Sequence, residues 1–554
     1  MAEQIKNITI VGGGTAGWLA ANLITTYFNR PGKPLRIKIT LIESPNIKTV
    51  GVGEATVPGM PRMLQQMGIN EREFFRRCNA SFKLGVDFVN WNHKEDGSPV
   101  SFINPFNSGH YIRGHNPAYY FHAFGRKAAN DTHADDIVEA ICPAPDAISQ
   151  HKGPRSTNNK DFESPIGYAY HLDAGLFAKM LQEIGTERGV EHIRDDVVEV
   201  KLDERGFVGS LELKERGSHP IEMVIDCTGF KGLIINEALG EPFEPYSKFL
   251  MNDRALAVQI PHENPTDLEP CTRSTALGAG WVWNVPLHSR RGTGYVFSSA
   301  YRTDEEATKE FLAHLGKTED EVQPRAIPIR VGRTRNAFVK NCLALGLSSG
   351  FIEPLESTAI YMIEMGIRWL FNYFPDTDFD PKLIGRYNSI SNDLYDEVRD
   401  FIVLHYYLNN RTDSDYWIAA REEMEIPDRL LENLDVWKYS IPTVNDLPSQ
   451  HLFTFWNYIV VLFSKGFYPK DHVFPTAQGI DEADWAKYIR HHRAAKREFM
   501  SQLPSSYELI SYLRGDTPAD TPAWAQPAAG TVPLPGVGVG TIVPKPLNDD
   551  GALL

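Results

Sequence analysis

The feature that most constrains the fold is the glycine-rich segment VGGGTAGW at residues 11–18. It follows an apolar run, IKNITIV at 5–11, and leads into AGWLAANLITTYF at 16–28, which has the periodicity of a helix. A second apolar run, LRIKITLIES at 35–44, places an acid, Glu43, near its end. Strand, glycine turn, helix and strand form a β-α-β unit, which predicts a parallel sheet with a right-handed crossover.

Three glycines of this turn, Gly12, Gly14 and Gly17, have the GxGxxG spacing of dinucleotide-binding proteins. Such glycines allow a tight turn and close approach of a pyrophosphate, and the helix N-terminus attracts its charge. The alternative is a glycine turn without a ligand. The expected contacts to the dinucleotide, with Glu43 on a ribose hydroxyl, are Gly12, Gly14, Thr15, Ala16, Gly17 and Glu43.

Later segments favour FAD over NAD as the cofactor. An apolar strand ends in DCTGF at 226–230, and another ends in GLSSGF at 346–351. Flavoproteins typically close their site with such late turns. A second strand–GxGxxG–helix unit for a nicotinamide is not found, since GVGVGT at 536–541 precedes no helical pattern. The chain is therefore expected to bind a flavin and to lack a site that reduces it.

Composition excludes several other classes of protein. The chain has 554 residues and a formal net charge of -15, which argues against a nucleic-acid partner or an anionic membrane surface. Its five cysteines are scattered without CxxC spacing, so neither disulfides nor a structural metal site is expected. No 18-residue apolar run or signal peptide is recognised, and we expect a cytoplasmic protein.

Four motifs together resemble the flavin-dependent halogenases of the tryptophan-halogenase family. They are GGGTAGW (12–18), GVGEATVP (51–58), GWVWNVP (280–286) and GFIEPLEST (350–358). The third matches the family's W-x-W-x-I-P signature, with Val285 in place of isoleucine. The resemblance runs over most of residues 5–465. It implies an α/β, FAD-binding, Rossmann-like flavoprotein monooxygenase-type fold with a mainly helical C-terminal subdomain.

This resemblance and the change of composition along the chain predict three domains. Residues 1–375 are expected to form the FAD-binding and halide/catalytic module. Residues 376–514, which are mostly helical in pattern, are expected to form a subdomain that covers the substrate. Residues 515–554 are rich in proline, glycine and alanine, and we expect a disordered tail.

The resemblance also implies the chemistry and its two central residues. FADH2, supplied by a separate flavin reductase, and O2 would convert chloride or bromide to hypohalous acid for a separate aromatic substrate. Lys83 matches the lysine that presents the halogen, either as a haloamine or through a hydrogen bond. Glu356 matches the catalytic glutamate, which polarises the hypohalous acid, accepts the ring proton, or does both. From the residues alone, the apolar neighbours of Lys83 predict a lowered pKa, and the alternative is a solvated lysine.

Other site residues follow from the same resemblance. GVGEATVPG at 51–59, too glycine-rich for a strand interior, is expected to be a mobile strap over the flavin. A halide is expected at the helix N-terminus formed by Thr358 and Ala359. Trp281 and Trp283 are expected to separate the substrate from the flavin. Further expected cofactor contacts are Gly53, Glu54, Ala55 and Gly350.

The substrate-binding residues depart from those of tryptophan-specific members. Asn104 stands where the family has a histidine beside the indole, while Phe106 can still stack on a ring. Phe455 and Trp456 match an aromatic pair of the family, but His451 lies where a glutamate binds the substrate ammonium. Histidine cannot replace a carboxylate as the acceptor for an ammonium. We therefore expect an indole-type substrate without a free amino-acid group.

Two alternatives to a halogenase remain at this point. One is a flavin-dependent aromatic monooxygenase, against which Trp281 and Trp283 argue. The other is a non-catalytic flavin-binding protein, against which Lys83 and Glu356 argue. A homodimer is one option for the oligomeric state, which the sequence leaves open.

Overall fold

The structure is a computed structural model that describes residues 3–30, 37–47, 53–447 and 451–516. Its strands are β1 (Asn7–Val11), β2 (Lys38–Glu43), β3 (Gly53–Ala55), β4 (Ser81–Lys83), β5 (Gly85–His93), β6 (Pro99–Pro105), β7 (Ala169–Asp173), β8 (Glu191–Arg194), β9 (Val197–Leu202), β10 (Val208–Leu213), β11 (Gly217–Pro220), β12 (Met223–Asp226), β13 (Phe243–Pro245), β14 (Arg254–Ile260), β15 (Thr272–Leu277), β16 (Gly280–Pro286), β17 (Arg291–Phe297), β18 (Arg325–Pro328), β19 (Gly332–Thr334), β20 (Phe338–Val339), β21 (Cys342–Ala344) and β22 (Gly350–Phe351). Its α-helices are α1 (Thr15–Phe28), α2 (Gly59–Gln66), α3 (Glu71–Arg77), α4 (Pro117–Tyr120), α5 (Ile137–Ile141), α6 (Ala144–Ser149), α7 (Ala174–Glu187), α8 (Asp304–Leu315), α9 (Ala359–Asn372), α10 (Pro381–Tyr407), α11 (Asp415–Glu422), α12 (Asp428–Trp437), α13 (Phe455–Ser464), α14 (Glu482–Ser501) and α15 (Ser506–Arg514).

The predicted β-α-β unit forms the centre of a six-stranded sheet in the order β20-β21-β12-β1-β2-β8. Strand β1 pairs in parallel with β2 on one side and with β12 on the other. Its neighbouring residues Thr9 and Ile10 point to opposite faces and are both buried, so this sheet is covered by structure on both faces. The carboxyl ends of β1, β2 and β12 therefore meet at one edge, where α/β proteins bind nucleotides. The α/β prediction is confirmed.

Two further sheets carry the tryptophan motif and Lys83. A seven-stranded sheet has the order β18-β14-β17-β16-β15-β5-β6, and the two motif tryptophans lie on β16. A three-stranded sheet has the order β3-β7-β4 and ends, on β4, with Lys83. Because β5 follows β4 after a single residue, Lys83 lies where the small sheet meets the large one.

The expectation that 51–59 is a loop is wrong for most of its described residues. Gly53–Ala55 is strand β3, paired antiparallel with β7, and Gly59 begins α2. This strand packs closely on β17, since a Cβ on Gly292 would lie 2.8 Å from the Gly53 nitrogen, whereas a Cβ on Gly53 would lie 3.3 Å from Val285 Cγ1. Gly51 and Val52 lie outside the described residues, and the mobility of the strap stays a prediction.

The helical C-terminal region shares one hydrophobic core with the sheet region. That core contains Ile10 and Leu172 as well as Phe401 and Ile459 of the later helices. The division at residue 375 stays a prediction, and the predicted tail beyond residue 516 lies outside the described residues. Within the described ranges, the helices are too short or too polar to cross a membrane.

Candidate active site

The glycine turn after β1 is shaped by contacts that exclude side chains. Gly12 has φ +119°, and a Cβ there would overlap the Cys227 carbonyl at the end of β12. A Cβ on Gly17 would overlap the Gly12 carbonyl. Gly13 is covered by the side chain of Glu43, whose Oε2 lies 2.9 Å from His192 Nε2. Three strands thus meet around this turn, and Glu43 lies beside it.

Gly14 differs from the other glycines of the turn because the position of its missing side chain is unobstructed. No described atom comes within 4 Å of a Cβ placed there. Gly14 is also the N-cap of α1, and no side chain caps the first amide groups of that helix. Thr15 and Ala16 begin the helix without an acidic residue in the first turn. Free amide groups, a positive helix end and an open approach fit the pyrophosphate of a dinucleotide.

The two glycines of the later turn GLSSGF, at 346–351, have different surroundings. Gly346 has φ +64°, and a Cβ there would be 2.9 Å from the Ala16 Cβ, so this turn packs on the start of α1. A Cβ on Gly350 would be 2.7 Å from the Gly332 carbonyl oxygen. Close packing of β22 on β19 therefore accounts for Gly350. Its contact with a cofactor stays a prediction.

Strand β3 carries an acidic side chain, Glu54, between β7 and the β16–β17 hairpin. Burial raises the pKa of Glu54 to about 7. Among the described residues, none donates a hydrogen bond to the Glu54 carboxylate, and Ala55 beside it is only partly covered. Gly53, Glu54 and Ala55 are thus placed between β7 and the β16–β17 hairpin, and their cofactor contacts stay predictions.

Lys83 is buried in the way that its sequence neighbours predict. Its exposed fraction is 0%, and the adjacent Phe82 and Leu84 are equally buried. The Nζ atom donates to the Thr56 carbonyl over 3.1 Å and lies 5.1 Å from the centroid of the Phe106 ring. Burial lowers the pKa of Lys83 to about 7, against the opposing charge of Glu356. A substantial fraction of this amine is neutral at pH 7, so it can act as a nucleophile.

Glu356 ends a single 3₁₀ turn just before α9 and is 3% exposed. Its Oε1 accepts from Asn104 Nδ2 at 2.9 Å and lies 3.1 Å from His405 Nε2. Ser357, between this turn and the helix, has φ +62° and adopts the left-handed conformation. Thr358 is the N-cap, and α9 begins at Ala359, as the halide prediction requires. Asn104, which was predicted to contact the substrate, is thus hydrogen-bonded to Glu356.

The two motif tryptophans share one face of β16 and differ in burial. Trp281 is fully buried, whereas Trp283 is half-buried, and their rings are 6.4 Å apart. Trp281 Nε1 donates to Glu353 Oε2 over 3.0 Å, and Tyr406 donates to the same oxygen over 2.6 Å. Glu353 thus fixes the orientation of Trp281.

The predicted substrate aromatics lie at the start of α13. The rings of Phe455 and Trp456 are 5.3 Å apart, and a Cβ on Gly109 would be 2.8 Å from Trp456 Cη2. Asn457, one residue later, donates to Asn104 Oδ1 over 3.2 Å. This hydrogen bond joins the aromatic pair to the end of β6, immediately before Phe106.

His451 does not take the place of a carboxylate. Its backbone N–H donates to Glu397 over 3.0 Å, and its ring lies edge-on to Trp369 at 5.2 Å. Asp446, the nearest acid before it in the described residues, caps its own turn through Thr443. The sequence interpretation of this region missed Glu397, which accepts the amides of residues 451–453.

Sequence reasoning also missed His405, Asn457 and Glu353. His405 lies in the last turn of a 27-residue helix, where a basic residue is common and does not by itself indicate a functional site. Asn457 has a local signal, the Thr-x-x-Asn pattern of a capping box, which the structure forms with Thr454. That pattern explains the helix start but does not predict contact with Asn104.

Comparisons with known proteins agree with this geometry. Residues 7–481 match the family described as tryptophan halogenase. The chain is 34% identical to tryptophan 7-halogenase RebH of Lentzea aerocolonigenes, covering 93% of this chain and 100% of that protein. A tryptophan halogenase structure from Shewanella frigidimarina superposes with a TM-score of 0.85 at 32% identity, covering 92% of this chain and 98% of that one. The structure of BrvH, a flavin-dependent halogenase from Brevundimonas sp. BAL3, superposes with a TM-score of 0.82 at 36% identity, covering 92% of this chain and 99% of that one.

Proposed function

This chain belongs to the tryptophan halogenase family, and we propose that it uses FADH2, O2 and chloride or bromide to halogenate an indole-type aromatic. That it is a flavin-dependent halogenase follows from the family. The observation that carries the finer proposal is the arrangement around Lys83. A fully buried amine lies over the Phe106 ring and within the electrostatic reach of the Glu356 carboxylate.

The chain's own residues have separate roles in this proposal. The turn at Gly12–Gly17 holds the dinucleotide, with Glu43 beside its ribose. FAD, when bound and reduced, supplies together with O2 the oxidation of a halide to hypohalous acid. The N-terminus of α9, at Thr358 and Ala359, attracts the halide because its amide groups point outward.

Lys83 and Glu356 act at the aromatic substrate. Lys83 presents the halogen to a ring held by Phe106 and Trp456. Across the whole reaction the halogen–oxygen bond of the hypohalous acid breaks and a carbon–halogen bond forms. The oxygen leaves as water with the proton of the acid and a second proton, which is balanced by the ring proton. The displaced ring proton passes to the Glu356 carboxylate, which lies within reach as a general base. Trp281, fixed by Glu353, separates the ring from the flavin.

The test is product analysis with the purified chain, FAD, NADH, O2, bromide or chloride, and a separate flavin reductase. We expect a halogenated aromatic whose mass changes with the halide supplied. Omission of the reductase should abolish turnover, because no nicotinamide site is recognised in the sequence. A hydroxylated product, or a product that is independent of halide, would contradict the proposal.

The substrate class is tested by competition of indole against tryptophan. Tryptophan would bury an ammonium and a carboxylate, and an unpaired charged group costs about 1–3 kcal/mol or more. The contacts of His451 and Asp446 supply no free carboxylate there, which supports a preference for indole. We expect kcat/KM for indole to exceed that for tryptophan by about tenfold or more. A tenfold preference for tryptophan would show that another residue binds its charged groups.

A further inference from the structure

Three parts of the chain are joined by hydrogen bonds that run in one direction to Glu356. The backbone N–H of Thr454 donates to Asn457 Oδ1 over 2.9 Å. Asn457 Nδ2 donates to Asn104 Oδ1 over 3.2 Å, and Asn104 Nδ2 donates to Glu356 Oε1 over 2.9 Å. The first donor belongs to the start of α13, the middle residue to β6, and the acceptor to the turn before α9.

The direction of this network is fixed by the backbone. The Thr454 N–H can only donate, so Asn457 must present its oxygen to it and its amide nitrogen to Asn104. Asn104 must then accept on its oxygen, which leaves its amide nitrogen for Glu356. The Oε1 atom of Glu356 is thereby required to accept, so a proton on this carboxyl group is placed on Oε2.

His405, on helix α10, contacts the same oxygen of Glu356. Its Nε2 lies 3.1 Å from Oε1, and its Nδ1 is buried with no partner among the described residues. If Nε2 carries the proton, the unpaired atom is an acceptor, which is tolerated better than an unpaired buried N–H. Burial lowers the pKa of His405, against the hydrogen bond and the charge of Glu356. Phe88 stacks on it at 4.4 Å.

Glu356 therefore accepts two hydrogen bonds on one oxygen. Its other oxygen, Oε2, has no partner in the described parts of the chain. A carboxyl group with one oxygen anchored and the other free is arranged to exchange a proton at the free oxygen. Helix α13, at the other end of the network, carries Phe455 and Trp456, the predicted ring contacts.

We propose that Asn104 and Asn457 are positioning residues that hold the Glu356 carboxylate with Oε2 free and couple its orientation to the substrate-covering start of α13. This inference rests on the proposed role of Glu356 as proton acceptor. A substrate ring that presses on Trp456 then also adjusts the carboxylate. Asn104, which replaces the histidine of tryptophan-specific relatives, is the central member of this coupling.

The first experiment compares Asn104→Leu with Asn104→His and with a control, Asn388→Leu. Asn388 is another buried asparagine with two hydrogen bonds, both to the Phe338 backbone and outside this network. For Asn104→Leu we expect kcat for indole halogenation to fall about tenfold or more, as for loss of a hydrogen bond to a charged group. Asn104→His should recover most of this loss, because neutral histidine also offers one donor and one acceptor. Asn388→Leu should lower the melting temperature and leave kcat unchanged.

Two further measurements exclude a merely structural role. With ring-deuterated indole, Asn104→Leu should show a larger isotope effect on kcat, because proton removal becomes slower. Asn457→Asp keeps the cap of α13 and removes the donor to Asn104. Combined with Asn104→Leu, it should cost less than the sum of the two single changes. An unchanged isotope effect, additive losses, or no recovery in Asn104→His would overturn the inference.

A measurement that needs no catalytic turnover distinguishes failure of the proposed function from failure of the positioning role. The infrared difference spectrum between the wild type and Glu356→Gln should contain a carboxylate band at pH 7. That band should shift in Asn104→Leu and return in Asn104→His. Absence of halogenation in the wild type would reject the function while leaving this result intact. A band that Asn104→Leu leaves unmoved would reject the positioning role even in an active enzyme.

Discussion

Lys83 and Lys465 are buried lysines in two regions of the molecule, and their local environments are nearly alike. Lys83 is 0% exposed and Lys465 is 8% exposed. Each donates to one neutral oxygen, on Thr56 and Asn92, over 3.1 and 2.8 Å. Each also lies over aromatic rings, at 5.1 Å from Phe106 and 5.3 Å from Trp91. Burial lowers the pKa of both lysines to about 7.

The two lysines differ in what lies beyond the first contacts. The charge of Glu356 acts on Lys83, and the ring beside Lys83 is Phe106, a predicted substrate contact. Lys465 is the C-cap of α13, where the helix dipole favours a cation, and no carboxylate pairs with it in the described ranges. A buried amine with a lowered pKa is therefore not sufficient for a reactive site. The neighbouring carboxylate and the ring-binding surface distinguish Lys83.

The largest expected effect is the contrast between Lys83→Met and Lys465→Met. Lys83→Met should abolish halogenation, while FAD still binds and reduced FAD is still reoxidised by O2, because the glycine turn is untouched. Lys465→Met should leave kcat within about threefold of the wild type, since replacing a buried charge by an apolar chain of similar volume is often tolerated.

Product formation, flavin fluorescence and reoxidation rates measure these outcomes. Equal losses of halogenation in the two variants would show that Lys465 also takes part in the chemistry. Loss of FAD binding in Lys83→Met would instead indicate a folding defect.

A smaller effect is expected in the pH dependence of stability. Both lysines have a pKa near 7 in the folded state and 10.5 as their ordinary value. Between these values the unfolded chain binds more protons, so the free energy of unfolding rises with pH from about 7 to about 10. Each lysine contributes a slope of at most about 1.4 kcal/mol per pH unit.

Denaturant unfolding of the wild type and both methionine variants over this range separates the two contributions. Each variant should show a lower slope than the wild type, and the difference should vanish below pH 6. A slope that Lys465→Met leaves unchanged would show that this lysine stays protonated in the folded protein, and the similarity of the two environments would then be superficial.

The smallest effect is expected from removing the C-terminal segment after Asp516. Its composition cannot bury enough apolar area to offset the entropy of ordering, so melting temperature and kcat should not change. A chain ending at Pro504 is the matched comparison, because it also loses α15, which packs on α3 and on β4 beside Lys83. That chain should lose halogenation and stability. A marked loss after truncation at Asp516 would show that the tail packs on the body.

The sequence predicted the parts of the site that depend on neighbouring residues. The turn at Gly12–Gly17 and the burial of Lys83 follow from local patterns, and the structure places both as expected. The prediction of a loop at 51–59 was wrong because the glycine content was interpreted as flexibility of the backbone. Gly53 lies in strand β3 instead, and its close approach to β17 excludes a side chain on Gly292, a residue more than two hundred positions away.

What the sequence by itself determined is the cradle and the two candidate reactive groups, because short-range periodicity, glycine spacing and family motifs specify them. Only the tertiary structure decided which buried lysine faces a carboxylate and which residues orient that carboxylate. Asn104, His405 and Asn457 come from a strand and two helices that lie far apart in the chain. Their hydrogen bonds exist only because packing of α10 and α13 against the sheet brings them together, and no local pattern encodes such a meeting.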